Sequence, residues 1–175
     1  MIRGHKIRLN PTPEQETSFR KASGVARFVY NWGLAQWKAH KAEHPGKPYG
    51  TRVPRNAFKQ IKGTAFPFVS EVAKDVAENA FANLGAALKN YFESKNGKRK
   101  GSQMGFPQFK TKKKSKRKFC LNNDKIAVDT HAVKIPWLVW VNMAENLRWD
   151  GYILRAVVSE DAGKQCVALS TQHAR

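Results

Sequence analysis

The chain has 175 residues, with 32 Lys or Arg against 13 Asp or Glu, a formal charge of +19. A hydrophobic content of 41% is ordinary for a folded protein and allows a buried core in one domain or two small ones. The charge calls for an anionic partner, and nucleic acid is the commonest one; a bilayer-spanning role is excluded, because no apolar run approaches about 18–20 residues.

Taken in chain order, Ile2 to Leu9 sets Ile2, Gly4, Lys6 and Arg8 against Arg3, His5, Ile7 and Leu9, a short strand ending at Asn10-Pro11. The opening Met1 to Lys6 has no apolar signal-peptide core. Thr12-Pro13-Glu14-Gln15 starts a helix, with Thr12 as cap, Pro13 in the first turn and Gln15 completing a capping box. Phe19, Ala22, Ala26, Val29 or Tyr30, Gly33 and Trp37 form its buried face, out to about Glu43. Gly24 and Gly33 mark a kink or a close helix contact. His44 to Pro54 is a loop. Arg55 to Gly63 reads as a short helix with Phe58 and Ile61 inward. Ser70 caps a third helix, with Val72, Val76, Ala80, Leu84, Ala87, Leu88 and Tyr91 on one face, ending near Ser94.

Lys95 to Lys118 holds 11 of the basic residues and no acid. Its glycines and Pro107 forbid a continuous helix. A solvated linker is one account of it. A phosphate-binding surface is the other, because Phe106, Phe109 and Phe119 interleave with the charge. Beyond it the pattern turns to short β-rich runs: Ile126 to Val128, Ala132 to Ile135, Trp137 to Val141, Gly151 to Ser159 and Gln165 to Thr171. Turns at Asn122-Asn123-Asp124, Asp129-Thr130-His131, Asp150-Gly151 and Asp161-Ala162-Gly163 separate them. The fold expected is α+β: a small antiparallel β-barrel with a helical bundle inserted after the first strand, which pairs with the C-terminal strands.

The candidate site residues fall in three groups. Arg27 and Asn31 lie on the first long helix among aromatics, where core packing is the plainer account and Asn31 needs hydrogen-bond partners. Lys74 and Glu78 share a face of the third helix, with Asn79 beside them. An ordinary i,i+4 ion pair explains that spacing, and so does a face that reads base edges. The basic run contributes Lys98, Arg99, Lys100, Phe109, Lys110, Lys112, Lys113, Lys114, Lys116, Arg117 and Lys118. Of Trp137 and Trp140, one is expected in the core and the other is free to stack on a base. Cys120 and Cys166 have no Cys-x-x-Cys spacing, and His5, His40, His44, His131 and His173 have no ligand spacing, so no metal or cofactor is expected. There is no phosphate loop, nucleophile elbow or cluster of carboxylates, so no catalytic residue is assigned.

Five pieces in order resemble the N-terminal half of TnpB proteins, the OrfB family of IS200/IS605 transposons, which are related to type V CRISPR effectors. They are Arg8 to Gln15, Gly24 to Trp32, the Ala80 to Phe92 helix, Phe106-Pro107-Gln108-Phe109-Lys110, and Gly151-Tyr152-Ile153 with Ser159 to Ala168. The resemblance implies a wedge-like β-barrel domain over 1–10 and 111–175, and a helical recognition domain with the basic linker over 11–110. It further implies binding of a guide-type RNA and of target-adjacent DNA, read in part through Lys74 and Glu78. Glu78 stands where relatives carry an amide, which implies a different DNA motif. The family's RuvC carboxylates and zinc-ribbon cysteines have no counterpart here, so the expected protein is a non-enzymatic, monomeric binding module in the prokaryotic cytoplasm. A separate RuvC nuclease chain is an expected partner and a membrane is not. A nuclease-free transcriptional regulator and an inactive transposase fragment are the alternatives.

Overall fold

The computed structural model describes residues 1–47, 49–122, 126–149 and 151–172. The turn residues Asn123, Asp124 and Asp150, and His173, lie outside them. The first strand, β1, runs over Ile2–Asn10 and buries His5, Ile7 and Leu9 on one face. Helix α1, Pro13–Glu43, begins with the expected reciprocal cap: Gln15 N–H donates to Thr12 Oγ1, and Thr12 N–H donates to Gln15 Oε1. These two bonds satisfy groups that a helix start otherwise leaves orphaned. Its buried stripe is Phe19, Ala22, Val25, Val29, Tyr30, Gly33, Leu34 and Trp37; Val25 joins the expected face, and Ala26, half-buried, packs against the same core.

Helix α2, Arg52–Ala65, buries Pro54 and Phe58 but leaves Ile61 exposed, against expectation. A 3-10 turn over Pro67–Glu71 follows, and helix α3 covers Lys74–Lys95. Ser70 sits inside that turn and does not cap α3; the cap position is Ala73, with no side-chain bond. The extended Val72, φ −126°, separates the turn from the helix. Gly33 is a close helix contact. A Cβ built on it would lie 2.8 Å from Phe81 Cε1 and 3.0 Å from Leu84 Cδ2 of α3, whereas Gly24 meets nothing. Gly33→Ala is therefore expected to destabilise the protein by about 1 kcal/mol, an overpacking cost of about 1–3 kcal/mol less the helix-propensity gain of about 1. Thermal unfolding measures it, and a stabilised variant would contradict the close crossing.

The remaining strands are β2 (Lys118–Asn122), β3 (Ala127–Asp129), β4 (Ala132–Lys134), β5 (Trp140–Met143), β6 (Tyr152–Asp161) and β7 (Lys164–Gln172). They join β1 in one antiparallel sheet, in the order β2-β6-β7-β1-β5-β4-β3. β1 pairs with β7 from Ile2↔Gln172 to Arg8↔Cys166, and then with β5 at Leu9↔Met143 and Asn10↔Asn142. The first strand thus lies among the C-terminal strands, with the helices inserted after it, as expected. The expected barrel does not close: the sheet is open, and β2 and β3 stand at its two ends. A helix takes the place of a closing strand. Asn79 Nδ2 of α3 donates to the Cys120 carbonyl, 3.4 Å, and the Asn122 N–H donates to Asp75 Oδ2, 3.2 Å. Side chains of α3 thereby bond the open edge of β2 at two points, one of the ways an edge strand is covered.

β2 itself was not separated from the basic run by the sequence pattern. The strand expected at Trp137 begins only at Trp140, because Pro136 and Trp137 form a turn with Trp137 at φ +62°. Trp137 packs on Phe119 at 5.8 Å, while Trp140 is exposed. One core cluster runs from Ile7 and Leu9 through all three α-helices to Val167 and Leu169. Among the described residues no helix is long and apolar enough to cross a membrane.

Candidate nucleic-acid interface

Part of the basic run is docked on the helices. Asn31 on α1 grips the backbone of Lys110 with both ends of its amide. Its Nδ2 donates to the Lys110 carbonyl, 2.8 Å, and its Oδ1 accepts from the Lys110 N–H, 2.8 Å. An amide side chain here makes the pair of bonds that a neighbouring strand would make. Phe106 packs on Trp37 at 5.6 Å and Tyr91 at 5.2 Å, and Pro107 is buried. Phe109 stays exposed, with the Lys38 ammonium 4.7 Å from its ring centre. Lys110 Nζ lies 3.8 Å from the Tyr30 ring centre, a cation–π contact. Burial, with the nearby Lys118 charge, pushes the Lys110 ammonium below its ordinary pKa. A bound phosphate would offset both effects.

After Lys110 the chain makes one turn, closed by Ser115 N–H donating to the Thr111 carbonyl, 3.0 Å, and Lys114 N–H donating to Thr111 Oγ1, 3.2 Å. Lys112, Lys113 and Lys114 are exposed on this turn. The next two cations are tied down. Lys116 pairs with Asp161, 3.2 Å, and Arg117 Nη1 donates to both carboxylate oxygens of Glu160 at 2.9 Å. Lys6 also pairs with Asp161, and the two ammonium groups hold that carboxyl below its usual range.

These anchors shape a cleft of about 290 Å³ between α1, α3 and the basic run. Arg27 and Ser23 of α1, Asn79 and Asn83 of α3, and Lys110, Ser115, Lys116, Arg117 and Lys118 line it, with no carboxylate among the lining residues. Of its five cations, Arg117 is paired with Glu160 and Lys116 shares Asp161 with Lys6; Arg27, Lys110 and Lys118 have no ion-pair partner among the described residues. Cations lining a concave wall with no acid among them suit a polyanion held through its phosphates.

The structure brings together some of the expected site residues and separates others. Arg27, Lys110, Lys116, Arg117 and Lys118 meet in the cleft, and Asn79 joins them with its amide committed to β2 and to the Asp75 carbonyl, 2.9 Å. Asn31 lies behind the cleft as a clamp on Lys110. Lys74 and Glu78 face away from Asn79, into a small groove shared with Arg55, Lys59 and Lys62 of α2. They form no i,i+4 ion pair. Lys98, Arg99 and Lys100 sit exposed in the loop after α3, and the exposed Phe109 is not among the residues that line the cleft. Sequence reasoning passed over Lys38, Asn83 and the α2 cations. Only the last carried a signal, in their spacing of three and four.

Comparison with known proteins finds several similarities. Residues 1–44 match the helix-turn-helix domain family of OrfB proteins of IS605 elements. In this chain that segment is β1 followed by one uninterrupted helix over most of its length. InsQ of Escherichia coli K12, described as a candidate RNA-guided DNA endonuclease, is 23% identical over 172 residues, which cover 98% of this chain and 40% of InsQ. A Mycobacterium tuberculosis protein of the same description is 25% identical over 163 residues, covering 84% of this chain and 35% of its own length. The chain thus spans well under half of these relatives. The Salmonella dublin virulence protein VsdF is 28% identical over 124 residues, 64% of this chain and 95% of VsdF. Among solved structures, the Cas12f1–sgRNA–target DNA complex superposes with a TM-score of 0.45 at 14% identity, covering 100% of this chain and 49% of that one.

Proposed function

We propose, from the chain's kinship with the N-terminal part of TnpB-type proteins, that it is a nucleic-acid-binding module of the RNA-guided kind. The single observation that carries this reading is the cleft, whose wall holds no carboxylate and holds Arg27, Lys110 and Lys118, none with an ion-pair partner among the described residues. A guide-type RNA would lie in the cleft, bound by backbone and shape, the common mode for structured RNA. Lys112, Lys113 and Lys114, on the turn next to Ser115, extend the same charged path, and Lys98, Arg99 and Lys100 add to it at the end of α3. Lys74 and Glu78 would read the target-adjacent DNA, and these residues would have no catalytic centre of their own. The test is to purify the protein with the RNA transcribed around its own gene. That RNA is expected to co-purify and to outcompete random duplex DNA of equal length. Lys74→Ala is expected to weaken discrimination among DNA motifs while leaving RNA affinity nearly intact. Strong sequence-specific duplex binding by the RNA-free protein would favour a regulator that acts without a guide and would overturn this reading.

A further inference from the structure

Helix α2 holds four cations and no acid, and the cations are Arg52, Arg55, Lys59 and Lys62. Their spacing of three, four and three places them within an arc of about 80° at 100° per residue. The buried Pro54 and Phe58 lie beside that arc. The exposed Val53, Ala57, Gln60 and Thr64 lie across the helix from it and carry no charge. Charge needed only for solubility would spread over the whole exposed surface. Here it forms a ridge about 15 Å long, in which neighbouring like charges destabilise the free helix. Among the described residues none of the four has an ion-pair partner. Across the groove stand Lys74 and Glu78 of α3.

We propose that this ridge grips the phosphate backbone of a nucleic-acid duplex and thereby sets the duplex against Lys74 and Glu78. The inference rests on the reading above, that the chain engages duplex DNA as well as RNA. Phosphate contacts fix register and orientation, and base-reading groups beside them then specify sequence. A duplex fits better than a single strand, because single-strand surfaces carry aromatic platforms for unstacked bases. The only aromatic side chain of α2 is Phe58, which is buried. The ridge and the cleft are separate: none of its four cations lines the cleft.

The test is the variant Arg52→Gln, Arg55→Gln, Lys59→Gln, Lys62→Gln in the full chain, with affinity measured against salt for duplex and single-stranded DNA of equal length. Loss of three to four phosphate contacts should reduce the slope of log affinity on log salt by about three for the duplex, and lower duplex affinity at least tenfold at moderate salt. Single-strand binding should hardly change. Helicity and melting temperature should hold or rise, because like-charge neighbours are removed, so lost binding would not reflect unfolding. An unchanged duplex slope, or an equal loss on single strands, overturns the ridge while leaving the cleft intact. A wild-type chain that binds RNA but no duplex at all overturns both the ridge and the DNA half of the reading it rests on.

Discussion

Replacing Arg27, Lys110 and Lys118 together by Gln lowers affinity for structured RNA on the order of a hundredfold at about 0.1 M salt, and reduces the salt slope by about two to three. The magnitude follows from counterion release, at about 0.7 to 0.9 of slope per phosphate contact. These three are chosen because they line the cleft and have no ion-pair partner among the described residues. Lys116→Gln and Arg117→Gln serve as the contrast. Glu160 already pairs with Arg117, and Lys116 shares Asp161 with Lys6, so each should change the slope by less than one of the cations that have no ion-pair partner among the described residues. The triple variant keeps its fold, since Asn31 holds the backbone of Lys110 and not its side chain. An unchanged slope in the triple variant sinks the phosphate-cleft reading, whatever the Lys116 result.

Asn31→Ala detaches the same wall by a different route. It removes both partners of the Lys110 backbone and leaves an N–H and a carbonyl unpaired at a half-buried site. At about 1–3 kcal/mol per orphaned group, the two together should cost about 2–6 kcal/mol, a fall in melting temperature of roughly 4–24 °C for a chain of this size. Trypsin should then cut between Lys110 and Lys118 while the rest of the chain remains protected, and RNA affinity should fall although no charge has been lost. Wild-type protease resistance in this segment would show that the packing of Phe106 and the ion pairs of Lys116 and Arg117 hold it without the Asn31 clamp.

Several elements were legible in the sequence because their causes are local. The capping box at Thr12 and Gln15, the three-and-four spacing through Trp37 and the alternation of Ile7 with Leu9 are dictated by backbone geometry within a few residues. The pairing of β1 with the C-terminal strands was also legible, since a lone strand before a helical stretch has no other partner. The 3-10 turn that displaced the start of α3 from Ser70, and the turn that displaced β5 from Trp137, were less legible. Both depend on how neighbouring elements pack as much as on local preference.

What the sequence by itself determined is the charge, the succession of helices and strands, and the segments in which the cations are concentrated. Which cations act together was decided only by tertiary structure. In the sequence Lys116, Arg117 and Lys118 are equivalent, yet Glu160 and Asp161 at the far end of β6 pair with the first two, while the third has no ion-pair partner among the described residues. Asn79 and Glu78 are adjacent in the chain, yet a 100° step around α3 sends one to the edge of β2 and the other to the groove beside α2. Asn31 finds its partner 79 residues away. The physical reason is the same in each case. A charge or an amide has no fixed role until the fold decides which groups lie within a few ångströms of it, and that distance is not written in the spacing of the residues along the chain.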